Sequence, residues 1–162
     1  MSDAAPAARR RSKFLCVVDD TPESRVAVRF ASRRARNVGG SVSLLRVIAL
    51  PDAQAWSSIR EMMAQEAREE AEKLMTTLAQ QVFSDSGVRP ELIVRQGAVR
   101  DELLRLIAED PGIRILVLAA APGAGGPGPL VTALAGQLSG TLTIPVMVVP
   151  GSLTDEEIDE VT

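Results

Sequence analysis

Residues 14–37 read FLCVVDDTPESRVAVRFASRRARN, and this stretch decides the fold. Phe14–Val18 is a continuous apolar run with no polar alternation, which suits a strand buried on both faces, as in a parallel sheet. Asp19-Asp20 end it. Thr21 then stands as a helix N-cap, with Pro22 at the first helical position. The predicted helix runs from about Pro22 to Asn37, and Gly39-Gly40 stop it.

Working outward, the same alternation repeats. Further strand-like runs lie at Val42–Ile48, Glu91–Arg95, Ile115–Ala119 and Ile144–Val149. Helical segments separate them at about Ser58–Phe83, Val99–Glu109 and Leu130–Leu138, the last entered through Pro129. In the second helix Ile59, Met63, Ala71, Leu74, Leu78 and Val82 fall on one stripe, which is expected to face the core. Alternating strands and helices imply right-handed crossovers and a covered parallel sheet. The expected fold is α/β, a single five-stranded doubly wound parallel sheet in the order 3-2-1-4-5 with helices on both faces. In that order the first and fourth strands flank the reversal point, where ligands bind beyond the strands' carboxyl ends. Asp19-Asp20 follow strand one. The cluster PGAGGPGP, residues 122–129, follows strand four. The two most unusual segments therefore meet at one crevice.

The chain has 162 residues, enough for one domain with a full core. It contains no histidine, which excludes a Ser-His-Asp triad, a histidine base and a histidine metal ligand. Cys16 is the only cysteine, so no intrachain disulfide or cysteine-based zinc site can form. Its place in an apolar strand reads as core rather than nucleophile. No tyrosine and few aromatics leave no stacking platform for nucleic acid, and a net charge of −3 attracts no polyanion. The first residues have no apolar core of a secretory signal. Residues 115–154 carry no charge, but prolines cut them into runs far too short to span a membrane. A cytoplasmic protein is expected, with a disordered basic arm at 1–12, an α/β domain at 13–151 and a solvated acidic tail at 152–162. Arg9, Arg10, Arg11 and Lys13 make the arm basic, and the tail holds five acids, with room for one short helical turn.

The candidate chemistry is confined to the crevice. Asp19-Asp20 could hold Mg²⁺ through oxygen, or negative charge there could favour the helix N-terminus. A phosphoacceptor aspartate ending strand three and a lysine ending strand five are both missing, which removes receiver-type phosphotransfer. Gly123, Gly125 and Gly128 form a literal G-x-G-x-x-G between a strand and a helix, but without the acid that a dinucleotide site needs about 20 residues on. Glycines let backbone N–H groups approach phosphate. Pro127 and Pro129 supply no such donor, and no Lys or Arg follows Arg114. No positioned base or nucleophile is visible, so the chain reads as a non-enzyme.

The ordered set of motifs resembles the universal stress protein family. VVDDTPESRVAVRFA resembles that family's V-D-x-S followed by x-x-S-x-x-A-L. Asp19, Thr21, Ser24, Ala27 and Val28 stand at the matching positions. LLRVI resembles its L-H-V-I, with Arg46 in place of His and Val47 matching Val. VRQGAVRDELLRLIAED resembles its V-x-x-G segment at Gly97, and IPVMVVP its closing P-V-L-V-V strand. The likeness covers about residues 13–150. It implies a stress-response protein, usually a homodimer, often paired through the last strand. An uncovered Ile144–Val149 edge would itself invite pairing.

Some members of that family bind ATP or AMP, with Mg²⁺ accompanying the nucleotide, and others do not. In a binder like those, adenine would lie against Val17 and Val47 and Asp19 would contact the nucleoside. The backbone of Gly123, Gly125, Gly126 and Gly128, with the helix start near Thr132, would hold phosphate. The binders' G-x-x-G, nine residues, then G-[ST] is altered in this chain. Ala119 stands at the first glycine when the strand is the anchor, and Gln137 replaces Ser/Thr when Gly123, Gly126 and Gly136 are the anchor. A third placement puts Thr132 at the N-terminal glycine and Leu134 and Leu138 on the buried stripe. It packs best and implies a shortened loop without its hydroxyl ligand, a loss of about 1.5–3 kcal/mol for one charge-assisted bond. Two readings stand: an adenine-nucleotide-binding module, and a nucleotide-independent dimer that acts through protein partners.

Overall fold

The computed structural model describes residues 11–51 and 56–162. Most of the basic arm therefore lies outside the described residues. Five strands and five helices alternate: β1 Lys13–Val17, α1 Pro22–Val38, β2 Ser41–Ile48, α2 Ser57–Ser86, β3 Glu91–Gln96, α3 Val99–Glu109, β4 Ile113–Ala120, α4 Pro129–Ala135, β5 Val146–Pro150 and α5 Asp155–Val161. The sheet has the order β3-β2-β1-β4-β5, and every pair is parallel. This is the expected α/β sheet. Its central strand, β1, is buried from Phe14 to Val17, as a position covered on both faces requires.

Strand periodicity divides the core into two layers. Phe14, Cys16, Leu44 and Val117 face α1 and α2, while Leu15, Val17, Leu45 and Leu116 face α3 and α4. Cys16 is fully buried, and burial pushes its thiol pKa up, so it stays protonated and packs as a small apolar residue. Helix α1 begins at Thr21 and Pro22 as the sequence requires. Gly39 closes it in the left-handed conformation (φ 69°) and donates its N–H to the last turn.

Two expectations give way. The second-helix stripe is buried only in part: Ala71 and Val82 are in the core and Leu78 is half-buried, whereas Ile59, Met63 and Leu74 are exposed and Met75, outside the stripe, is buried in place of Leu74. A 30-residue helix is about 45 Å long, and the eight residues of β2 span roughly 26 Å. The sheet cannot cover all of α2, so its first turns overhang the sheet's carboxyl edge.

The acidic tail is the second correction. Residues 155–161 form α5, opened by a reciprocal cap in which Thr154 Oγ1 accepts from Glu157 N–H and the Glu157 carboxylate accepts from Thr154 N–H. Ile158 is completely buried in the α1 layer. Asp159 meets Arg29 at 3.0 Å and Arg33 at 2.7 Å, and Arg29 also reaches Asp155 and Asp85 of α2. Arginines on α1 thus bind a tail that by composition alone reads as solvated.

Lys13, counted with the basic arm in the sequence, lies in β1 and pairs with Asp110 at 2.7 Å and with Glu91 at 3.1 Å. The hydrogen bond from Lys13 holds the Asp110 carboxyl below the usual carboxylate range and raises the Lys13 pKa. A depressed folded-state pKa contributes stability above the unfolded value of about 3.9 and loses it as pH falls through the folded value. Asp110→Asn is therefore expected to lower the urea midpoint at pH 7, and the difference should close as pH falls through the depressed folded-state value. A difference that persists unchanged into acid would show that the charge is not what Asp110 contributes.

Candidate functional site

The crevice is built at the carboxyl ends of β1, β2 and β4. The chain leaves β1 through a local hydrogen-bonded turn. Thr21 donates its N–H to Asp19 Oδ1 at 2.9 Å and its hydroxyl to the same oxygen. Asp19 N–H donates to Ser24 Oγ at 3.2 Å, and Ser24 Oγ donates to Val17 O at 3.4 Å. Asn, Asp, Ser and Thr side chains stabilise turns in this way. Thr21 holds the N-cap position of α1, but its hydroxyl serves Asp19 rather than the helix.

Arg46, at the end of β2, crosses to the end of β1. Its Nη1 donates to Val18 O at 3.3 Å and its Nη2 pairs with Asp20 Oδ1 at 3.0 Å. The Nε is buried without a partner. Asp20 itself is largely exposed. Both acids after β1 are therefore engaged by neighbours of their own chain.

Asp19 divides the crevice into two unequal parts. On the β4 side lies a pocket of about 120 Å³, bordered by Val17, Asp19, Glu23, Leu118, Pro127 and Gly128. Small-molecule pockets run from roughly 300 to 1,000 Å³, so this one is too small for a nucleotide. The loop itself makes it small. Ala121 N–H donates to Pro127 O at 3.0 Å, which folds the glycine segment back on the end of β4. On the α2 side lies an open groove of about 840 Å³, walled by Val47, Ile48 and Leu74, with Asp20, Glu70 and Lys73 at its rim.

The residues singled out from the sequence are thus partly assembled. Val17, Asp19 and Gly128 border the small pocket, while Val47 lies across Asp19 in the open groove. Gly123, Gly125 and Gly126 are exposed, and a Cβ on any of them would meet nothing within 4 Å. Gly128 has φ 101°, a conformation that favours glycine, and its carbonyl accepts from both the N–H and the hydroxyl of Thr132. The Thr132 hydroxyl is therefore already occupied within α4. Leu134 is buried and Leu138 half-buried, as the preferred register of this segment requires. Sequence reading missed Glu23 as a border residue of the pocket. Its one signal was its place in the first turn of α1, beside a strand end that carries Asp19.

The profile of the universal stress protein family matches residues 10–150. No curated protein matches the chain by sequence. Solved structures share its fold at low identity. A universal stress protein UspA from Lactobacillus plantarum is 16% identical, with a TM-score of 0.71 over 86% of this chain and 98% of that one. A universal stress protein in complex with cAMP is 16% identical, with a TM-score of 0.59 over 88% and 99%. One from Archaeoglobus fulgidus in complex with dAMP is 17% identical, with a TM-score of 0.52 over 86% and 98%.

Proposed function

The chain belongs to the universal stress protein family, and from that premise we propose that it is a non-catalytic stress-response protein whose crevice takes an adenine-bearing ligand. The observation that carries this reading is the open groove between Asp19 and Val47. Its volume of about 840 Å³ lies within the range of small-molecule sites. Its wall of Val47, Ile48 and Leu74 suits the face of a heterocycle, and the carboxylates at its rim suit amine and hydroxyl donors. The complexes of relatives with cAMP and dAMP support the same class of ligand. We further propose that the protein pairs with a second copy of itself along β5, one of the two edge strands of the sheet.

Thermal unfolding tests the ligand reading. Adenosine, AMP and Mg²⁺-ATP are added separately at about 1 mM. For a dissociation constant of about 10 μM the best of them stabilises by about 2.7 kcal/mol. In a chain of this length that raises Tm by roughly 5–10 °C. No shift with any of the three would overturn it.

One observation favours the second reading, action through protein partners. The overhanging turns of α2 expose Ile59, Met62 and Met63, and Trp56 before them is 78% exposed. Flexible methionines beside an aromatic residue are common on adaptable binding surfaces. If the adenine ligands leave Tm unchanged, this helix is the surface to pursue.

A further inference from the structure

Resting on the adenine reading above, we propose that the crevice prefers the uncharged nucleoside to its phosphates, with Glu23 as a specificity-determining residue. The argument starts from the β4 side of Asp19, where the motif resemblance would place phosphate. That pocket is bordered by two carboxylates, Asp19 and Glu23, and, among the described residues, by no Lys or Arg. Several of the donors that could offset them are absent or already used, which leaves chiefly the backbone N–H groups of Gly128, Leu130 and Val131. Pro127 and Pro129 have no N–H, the Ala121 N–H is spent on Pro127 O, and the Thr132 hydroxyl is spent on Gly128 O. A phosphate there would lose its hydration with only backbone N–H groups and no side-chain cation to replace it, and would stand beside like charge.

The α2 side does not reverse this balance. Its cations are Arg46 and Lys73, and its acids are Asp19, Asp20 and Glu70. Arg46 is already bound to Asp20 and to Val18 O. Arg25 borders the neighbouring hollow between α1 and α2, with Asp19 and Asp20 facing it. Nowhere around the crevice, among the described residues, do bases outnumber acids. A nucleoside asks for something different: an apolar wall for its base and acceptors for its amine and hydroxyl donors. The groove supplies both.

Isothermal titration of the full chain with adenosine, AMP and ATP, in the absence of Mg²⁺ and at low salt, tests the proposal. Adenosine is expected to bind about tenfold more tightly than AMP, and AMP more tightly than ATP, which is the scale of a like-charge contact near a protein surface. The gap should narrow as salt is raised. Glu23→Gln is expected to tighten AMP severalfold and to leave adenosine unchanged. AMP or ATP binding more tightly than adenosine would overturn the proposal, and the unaltered chain suffices to show it. So would a Glu23→Gln variant that moves adenosine and AMP alike. No binding of any of the three would instead overturn the adenine reading itself, and this inference with it.

Discussion

Ile158→Ala is expected to destabilise the protein by about 2–5 kcal/mol, the range for truncating a buried Ile or Leu. In a chain of this size that lowers Tm by roughly 5–15 °C. The side chain is completely buried and is the single buried residue of α5. It belongs to the same apolar cluster as Phe30 and Val149, against which Leu153 and Met147 also pack, and α5 lies against α1. A seven-residue helix has no stability of its own in water, so the energy that holds α5 must come from docking. Its ion pairs with Arg29 and Arg33 are partly solvated, and such pairs contribute about 0–1 kcal/mol each. Ile158 is therefore the dominant contact. Val161→Ala is the control. Val161 is 61% exposed, and its truncation should move Tm by no more than about 1–2 °C. Equal, small effects for the two variants would mean that the tail is solvated in solution.

How much of this was legible in the sequence depends on where each element gets its energy. The strands were readable because each carries its own apolar run. The ends of α1 were readable because Thr21, Pro22 and Gly39 act locally. Helix α5 was not, since two apolar residues, Ile158 and Val161, among five acids make no stripe that sets it apart from a solvated tail. The arginines that receive it lie about 130 positions earlier in the chain. The stripe of α2 failed for another reason. At Leu74 the stripe is off by one position, since Met75 is buried instead; in the first turns burial also needs a surface to lie on, and β2 is shorter than the helix. At the crevice, the meeting of Asp19 with Gly128 followed from strand order alone. That the glycine loop folds back through Ala121 and Pro127 did not. Gly and Pro announce a turn without fixing whether it stands open or shut.

The edge of the sheet gives the second large expectation. Leu116 N–H donates to Pro145 O and Gly151 N–H to Ala120 O, so both ends of this segment point their main chain at β4. Main-chain groups alternate sides along a strand. Met147 and Val149 therefore also face β4, and Val146 and Val148 turn their N–H and C=O groups outward. A second copy related by a two-fold axis through Met147 would set Val146 opposite Val148 of the partner subunit. Each such pair exchanges two hydrogen bonds, and the sheets would join as one. The Val148 side chain, 40% exposed, adds an apolar contact beside this ladder. Val148→Pro removes one outward N–H from each copy and no bond to β4, the position at which a sheet tolerates proline. It is expected to weaken dimerisation about 100-fold, as loss of two main-chain bonds at about 1–1.5 kcal/mol each would require. Within one copy the fold should remain, because Met147 is already extended, the conformation that a following proline prefers. Sedimentation equilibrium across 1–100 μM would read the change directly. A dimer of unchanged strength would place the contact elsewhere. A parent chain that stays monomeric throughout would mean that this edge does not pair with a second copy.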